Sequence, residues 1–387
     1  MTIQVSKFVG SRLDDLFARM REASLDALVL TDRENFEYFS GFRTLFWASK
    51  SRPFYAIACS RERLLHVLVS AVERRTAEAH QGFPQQIQFH YYDGLVPESV
   101  SALSKVLNGG VNRNAAIAID YGMDMFGRGV HGLHKILGSE RGSATVDAAD
   151  IIWDVRMVKD EEEIAHKRQA LKVATDSFFA ALRHLRIGDT EEQFAAILRS
   201  ELIQRGASAI PWLPVRFGLK DMAYSMPPTQ RRLEHDDYIW VDIGCVVNGS
   251  ISDINRIAKA GHVSDREQSM YGTVRKLTLE TAGSIKAGEQ CSDIYRRFRQ
   301  QVDRENIPFY SAASRIGHGS GVDLTEPPSV AEASSEILRD GMIIHIEPKI
   351  EVDYGVFQLE EVVLVKGSEA EFLSEIAPEK LPEIPLA

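Results

Sequence analysis

The chain has 387 residues, 44% of them hydrophobic and 26% charged, which is the composition of a globular protein of two or three domains and excludes a disordered tail, a collagen-like fibre or a coiled coil as the whole molecule. Its 45 basic and 55 acidic side chains leave a net charge of -10, so no nucleic-acid partner is expected, since such a partner calls for a basic surface. The three cysteines (Cys59, Cys245, Cys291) form no CxxC pair, the N-terminus has no apolar leader, and no run approaches about 18 apolar residues; the expectation is a cytoplasmic protein with no disulfide framework and no membrane partner.

Arg12 to Ala23 carries apolar residues at 13, 16, 17 and 20, a helical stripe, and the strand-like run Ala27-Leu28-Val29-Leu30 follows. Phe54–Cys59, Arg63–Val69 and Ala115–Asp120 are further short strands, so an α/β domain is expected over residues 1–155. Near residue 155 the texture changes. A long helix runs from Asp160 to about Leu185, and Gly188-Asp189-Thr190-Glu191-Glu192 opens a second one reaching Arg205. From Tyr238 onward strands dominate, with helices near 265–285 and 292–305, so residues 156–387 read as an α+β domain. The tail after Glu379 reads as a surface strap or a loose end.

Two β-rich runs flank Asn248-Gly249, the strongest short hairpin signal. A two-residue turn there sets Asp242 opposite Asn255 and Asp253 opposite Gly244. The two aspartates are then diagonal neighbours on one face, about 7–8 Å apart at the backbone, with Gly244 leaving room beside them. Two carboxylates on an otherwise apolar strand pair repel unless something neutralises them. A metal ion would do so; two unrelated acids on a partly exposed face is the plain alternative.

A second hairpin repeats the pattern. Gly341-Met342-Ile343-Ile344-His345-Ile346-Glu347-Pro348 leads to the turn-like Asp353-Tyr354-Gly355, and Val356 to Val365 returns. A two-residue loop puts Glu347 opposite Glu360, and a three-residue loop puts it opposite Glu361. Between the hairpins lies Arg315-Ile-Gly-His-Gly-Ser-Gly-Val-Asp-Leu-Thr-Glu-Pro-Pro-Ser329, where His318 sits between glycines that cannot block the approach of an ion. Four carboxylates and one imidazole balance two divalent cations, and this donor set suits manganese, cobalt, iron or zinc. Such a pair lowers the pKa of a bridging water towards neutrality.

These motifs resemble the pita-bread metallohydrolases: Xaa-Pro aminopeptidase, prolidase, methionine aminopeptidase and their metal-free relative creatinase. The resemblance covers nearly the whole chain. It implies a C-terminal pita-bread domain behind an N-terminal creatinase-like α/β domain, and metal ligands Asp242, Asp253, His318, Glu347 and Glu360, the last preferred over Glu361 by its place in Gln358-Leu-Glu-Glu. It implies two divalent ions, manganese foremost, and a homodimer. It implies Glu347 as the catalytic residue that also shuttles a proton. Arg156-Met-Val-Lys159 with Glu162-Glu163-Ile164, and Asp26-Ala-Leu-Val-Leu with Asn35-Phe-Glu-Tyr-Phe-Ser-Gly41, resemble the family's linker helix and N-terminal domain.

Two departures stand out. Family peptidases carry a histidine where this chain has Ser225, and a second one seven residues after the ligand histidine, where it has Thr325. Ser225 and Thr325 are therefore expected to contact substrate in place of those imidazoles. Arg52, in the loop Trp47 to Pro53, is expected to pair with a substrate carboxylate. The resulting expectation is a dinuclear-metal hydrolase cleaving an amide or related C–N bond in a dipeptide or small molecule, with non-standard specificity. The alternatives are a metal-assisted lyase, with Asp323 or Glu326 as base, and a catalytically silent binding protein.

Overall fold

The computed structural model describes residues 3–48, 51–112, 115–120, 145–220, 222–309 and 315–384. Ser49 and Lys50, in the loop before Arg52, and the last three residues of the tail lie outside these. The chain divides into two compact units, Met1–Arg156 and Met157–Ala387.

In the first unit the apolar run Ala27–Leu30 is buried at every position and lies in a six-stranded sheet. It pairs antiparallel with Tyr55–Cys59 and parallel with Ile117–Ile119. Leu64–Ser70 and Ile87–Tyr92 extend one side, and Thr145–Asp147 the other. The helix Val9–Glu22 buries Leu13, Leu16, Phe17 and Met20, the stripe visible in the sequence. The polar stretch after Leu30 becomes a helix, Arg33–Ser40. Asp32 caps it by accepting from the Asn35 N–H, and Gly41 closes it at φ 68°.

In the second unit the helix Glu161–Leu182 starts at a capping box formed by Asp160 and Glu163, and Glu191–Gln204 at one formed by Thr190 and Gln193. Asp265–Gly283 and Cys291–Arg304 are the remaining long helices. A four-stranded sheet runs Val215–Gly218, Tyr238–Asp242, Asn255–Ala260, Glu383–Ile384. A five-stranded sheet runs Glu326–Ala331, Arg315–Gly319, Ile343–Ile346, Glu361–Lys366, Glu369–Phe372. The expected strap or loose end is instead a strand: Glu383 and Ile384 pair in parallel with Lys259 and Ala260, and Leu381 and Ile384 are buried. No helix among the described residues is long and apolar enough to cross a membrane.

Each acid-bearing hairpin is split into two ladders, and the split positions the site. The first turns at Asn248 and Gly249, both at positive φ, as a two-residue turn matched to strand twist demands. Val247 pairs with Ser250 and Asp242 with Asn255, the expected register. Between these ladders Ser252, Asp253 and Ile254 leave strand geometry, held by Ser252 N–H to Cys245 O (2.8 Å) and Ile243 N–H to Ile254 O (3.1 Å). The second hairpin turns at Asp353-Tyr354, pairing Val352 with Gly355 and Ile346 with Glu361. That two-residue turn sets Glu347 against Glu360 in the gap between its ladders. Gly355 belongs to the return strand, not the turn; a Cβ there would sit 2.5 Å from the Tyr238 ring.

Candidate metal centre

Asp242 ends its strand, Asp253 lies in the break of the same hairpin, and Glu347 and Glu360 lie in the break of the other. A strand that leaves its ladder no longer alternates its side chains strictly between faces, so acids separated along the chain can converge here. His318 arrives from Arg315–Gly319, paired with Ile343–Ile346. Its Nε2 is 3.2 Å from Glu347 Oε1 and 3.4 Å from Asp253 Oδ2. Its Nδ1 lies 2.8 Å from the Gly319 carbonyl, which fixes a proton on Nδ1 and turns Nε2 towards the carboxylates.

The glycines flanking His318 serve the sheet rather than an approaching ion. A Cβ on Gly317 would lie 2.0 Å from the His345 carbonyl oxygen, and one on Gly319 2.2 Å from that of Pro327. Gly244 likewise leaves no open space: a Cβ there would meet Leu324 and Trp212, each at 2.8 Å. Trp212 instead donates Nε1–H to Asp242 Oδ2 at 2.9 Å.

Glu360 is wholly buried and doubly held. Oε2 accepts from the Asn255 N–H at 2.7 Å, and Oε1 lies 2.6 Å from His345 Nδ1. Glu361 faces elsewhere, accepting from Ser374 Oγ (2.5 Å) and the Ala377 N–H (2.8 Å), with Arg256 at 3.4 Å. A further chain leads outward from Glu347: Gln358 Nε2 donates to its Oε2 at 3.3 Å, and Trp240 Nε1 donates to Gln358 Oε1 at 2.9 Å.

The electrostatics are those of acids crowded out of water. Burial first, then the charge of Glu347, pushes Asp242 up to about 6 against the bonds it makes with Trp212 and Asp253. Burial and neighbouring carboxylates push Asp253 and Glu360 well above the ordinary carboxylate range. Burial also raises Glu347, but the bond to His318 and the charges of His318, Arg315 and Lys349 outweigh it, and its pKa ends below the usual value. Burial, with Lys167, His318 and Arg315, keeps His345 neutral. Among the described residues, Asp242 Oδ1 is buried without a hydrogen-bond partner. A buried carboxylate oxygen, an imidazole nitrogen and three further carboxylates form a donor set that fits divalent cations.

Asp253, His318, His345 and Glu360 each offer a ligand atom within 4.8 Å of the other three. The five residues singled out in the sequence thus come together, and His345 joins them. Ser225 and Thr325 are exposed on loops. Arg52 belongs to the other unit, its guanidinium 5.5 Å from the Phe46 ring centroid. Glu326 is engaged structurally, with Lys159 Nζ at 2.9 Å and the N–H groups of Val322 (3.1 Å) and Asp323 (3.2 Å) donating to it.

Lys167 escaped sequence reading. It is wholly buried, donates to Ile251 O and Ser320 Oγ, and feels the charges of Asp253, Glu326 and Glu360. The signal was present: Lys167 falls on the helical stripe Ile164, Leu171, Ala174, Phe178, where a charged residue needs a reason.

A two-unit chain whose second unit gathers buried Asp, His and Glu side chains between split hairpins has the form of a pita-bread metallohydrolase. The chain belongs to metallopeptidase family M24, whose pattern matches residues 165–367; the creatinase/prolidase N-terminal domain matches residues 12–158. Among similar proteins, an uncharacterized peptidase of Staphylococcus haemolyticus is 25% identical over 94% of this chain and 99% of its own. An Xaa-Pro dipeptidase of Pyrococcus furiosus is 25% identical over 60% of this chain and 67% of its own. The solved X-Pro aminopeptidase of Thermotoga maritima superposes with a TM-score of 0.80 at 21% identity, over 96% of this chain and 99% of that one. The protein is therefore a hydrolase of the metallopeptidase type with a creatinase-like N-terminal domain.

Proposed function

We propose that this hydrolase works with two divalent ions held by Asp242, Asp253, His318, Glu347 and Glu360, and cleaves an amide or related C–N bond in a dipeptide or small molecule. The observation that carries this reading is the gathering of buried carboxylates about His318, whose Nε2 faces Glu347 and Asp253, with Asp242 Oδ1 lacking a hydrogen-bond partner among the described residues. Manganese is the first choice of ion for so oxygen-rich a set, with cobalt, zinc or iron as alternatives. The ions would supply Lewis acidity and a lowered water pKa. Glu347, partly exposed and the most readily ionised of the four acids, is the carboxylate we assign to receive a proton from water and pass it to the leaving group.

A dipeptide or similarly small substrate is favoured by relatives named as dipeptidases. We assign Arg52 to a substrate carboxylate and Ser225 and Thr325 to the positions of two imidazoles; hydroxyls are shorter and stay neutral, so ordinary Xaa-Pro peptides should be poor substrates. The proposed setting is the cytoplasm, as a homodimer, consistent with three buried, unbridged cysteines. The test is a screen of dipeptides and small amides with manganese-loaded protein alongside elemental analysis. Close to two ions per chain are expected, and both metal and turnover should vanish in Asp253→Ala and His318→Ala. Full turnover in a chelated, metal-free sample would refute the reading.

A further inference from the structure

His345 lies on the strand Ile343–Ile346, two residues before Glu347. It is the direct partner of His318 across the antiparallel ladder. The two rings stand side by side, centroids 5.0 Å apart and planes within 13°. His345 is wholly buried, yet among the described residues its Nε2 has no hydrogen-bond partner. An unpaired polar nitrogen at such depth costs about 1–3 kcal/mol. Packing alone gives no reason to accept that cost, because the neighbouring positions on this strand are Ile343, Ile344 and Ile346.

The other nitrogen explains the choice of imidazole. Nδ1 stands 2.6 Å from Glu360 Oε1, and Glu360 Oε2 is already occupied by the Asn255 N–H. Asp253, His318, His345 and Glu360 each offer one ligand atom, and these four atoms lie within 4.8 Å of one another, a spread that fits the donors around one ion. Asp242 and Glu347 are outside that group.

Resting on the metal-centre reading above, we propose that His345 is a sixth protein ligand, which places two imidazoles, its own and that of His318, on the ion held by Asp253 and Glu360. The two metal positions are then unequal. The position near Asp253 and Glu360 has two nitrogens and prefers zinc, iron or cobalt; the other keeps an oxygen-rich set and prefers manganese.

The first measurement uses the wild-type full chain loaded with one equivalent of Cu2+ as a paramagnetic probe. Pulsed electron paramagnetic resonance counts coordinated imidazoles through their remote nitrogens. Two are expected, and a count of one overturns the proposal without any variant being made. The second compares Zn2+ and Mn2+ binding in wild type and His345→Asn, whose amide N–H replaces Nδ1–H and keeps the bond to Glu360. The preference for Zn2+ over Mn2+ should fall by about tenfold or more and the imidazole count should drop to one. An unchanged ratio and count would mean that His345 only orients Glu360. Failure of the wild type to bind any divalent ion would instead remove the metal centre itself.

Discussion

Lys167 is a buried positive charge facing Asp253, Glu326 and Glu360. Burial lowers its pKa to about 8, offset in part by Asp253, Glu326 and Glu360. The folded value is below the ordinary 10.5, so between about 8 and 10.5 the unfolded chain holds this proton more tightly. Stability is therefore lost as pH falls through that window and is regained above it. Metal-free Lys167→Met should lack this slope, and denaturant unfolding of both proteins from pH 7.5 to 10 measures the difference. The same substitution removes a positive charge from beside a cation site. Mn2+ affinity should rise by about tenfold, equivalent to about 1.4 kcal/mol, in a competition titration. Unchanged affinity would mean that Lys167 is screened from the carboxylates. The four candidate acids were legible because acids inside apolar strands violate the pattern around them, and His318 stood out between glycines in the segment joining the two hairpins. Lys167 was not, because long helices commonly carry charges and only its exact phase on the apolar stripe marks it as buried.

At the level of elements, the two hairpin turns determined which acids meet. Asn248-Gly249 was readable because two successive positive φ values favour that pair. The second turn left Glu360 and Glu361 both open to sequence reading, and the structure separates them by register: Glu361 pairs with Ile346 and Glu360 stands against Glu347. What local pattern did not reveal was that both hairpins break at their acids, since the breaks arise from pairings with other strands, such as Ala209–Trp212 against Gly244–Val247. The glycines around His318 were noticed, but for a different physical reason: backbone of the next strands occupies the space a side chain would need. Gly317→Ala must push its strand away from the His345 carbonyl, and a loss of about 2 kcal/mol or more is expected. Because that strand carries His318, metal content should fall with stability. Denaturant melts and elemental analysis of the variant check both, and a variant of wild-type stability would show that the strand pair can yield.

On the scale of the whole molecule, the alternation of strands and helices in the first unit and the strand-rich second unit were readable from periodicity. The closing strand Glu383–Ile384 was not, because two residues with one apolar side chain give no pattern, and its partners Lys259 and Ala260 are far away in sequence. The second unit has its own apolar core, yet it also encloses four carboxylates, three of them with pKa values raised by burial and one held low by His318. In the metal-free chain the charges of Lys167, Arg256, Arg315 and Lys349 offset those acids only in part, so its stability is reduced near neutral pH. A ligand that binds the folded chain alone adds about 2.7 kcal/mol at a concentration 100 times its dissociation constant. For a unit of this size each kcal/mol is worth about 2–4 °C, so one ion should raise the melting temperature by about 5–10 °C. The rise should appear in the second unit, and hydrogen exchange should show slower opening around Asp253, His318, Glu347 and Glu360 on metal addition. Asp253→Ala removes one of these desolvated acids together with a ligand. It should melt above the chelated wild type near neutral pH and gain little from added Mn2+. Thermal scans of both proteins with chelator and with metal test this, and an equal metal-induced shift in the two would exclude Asp253 from the centre.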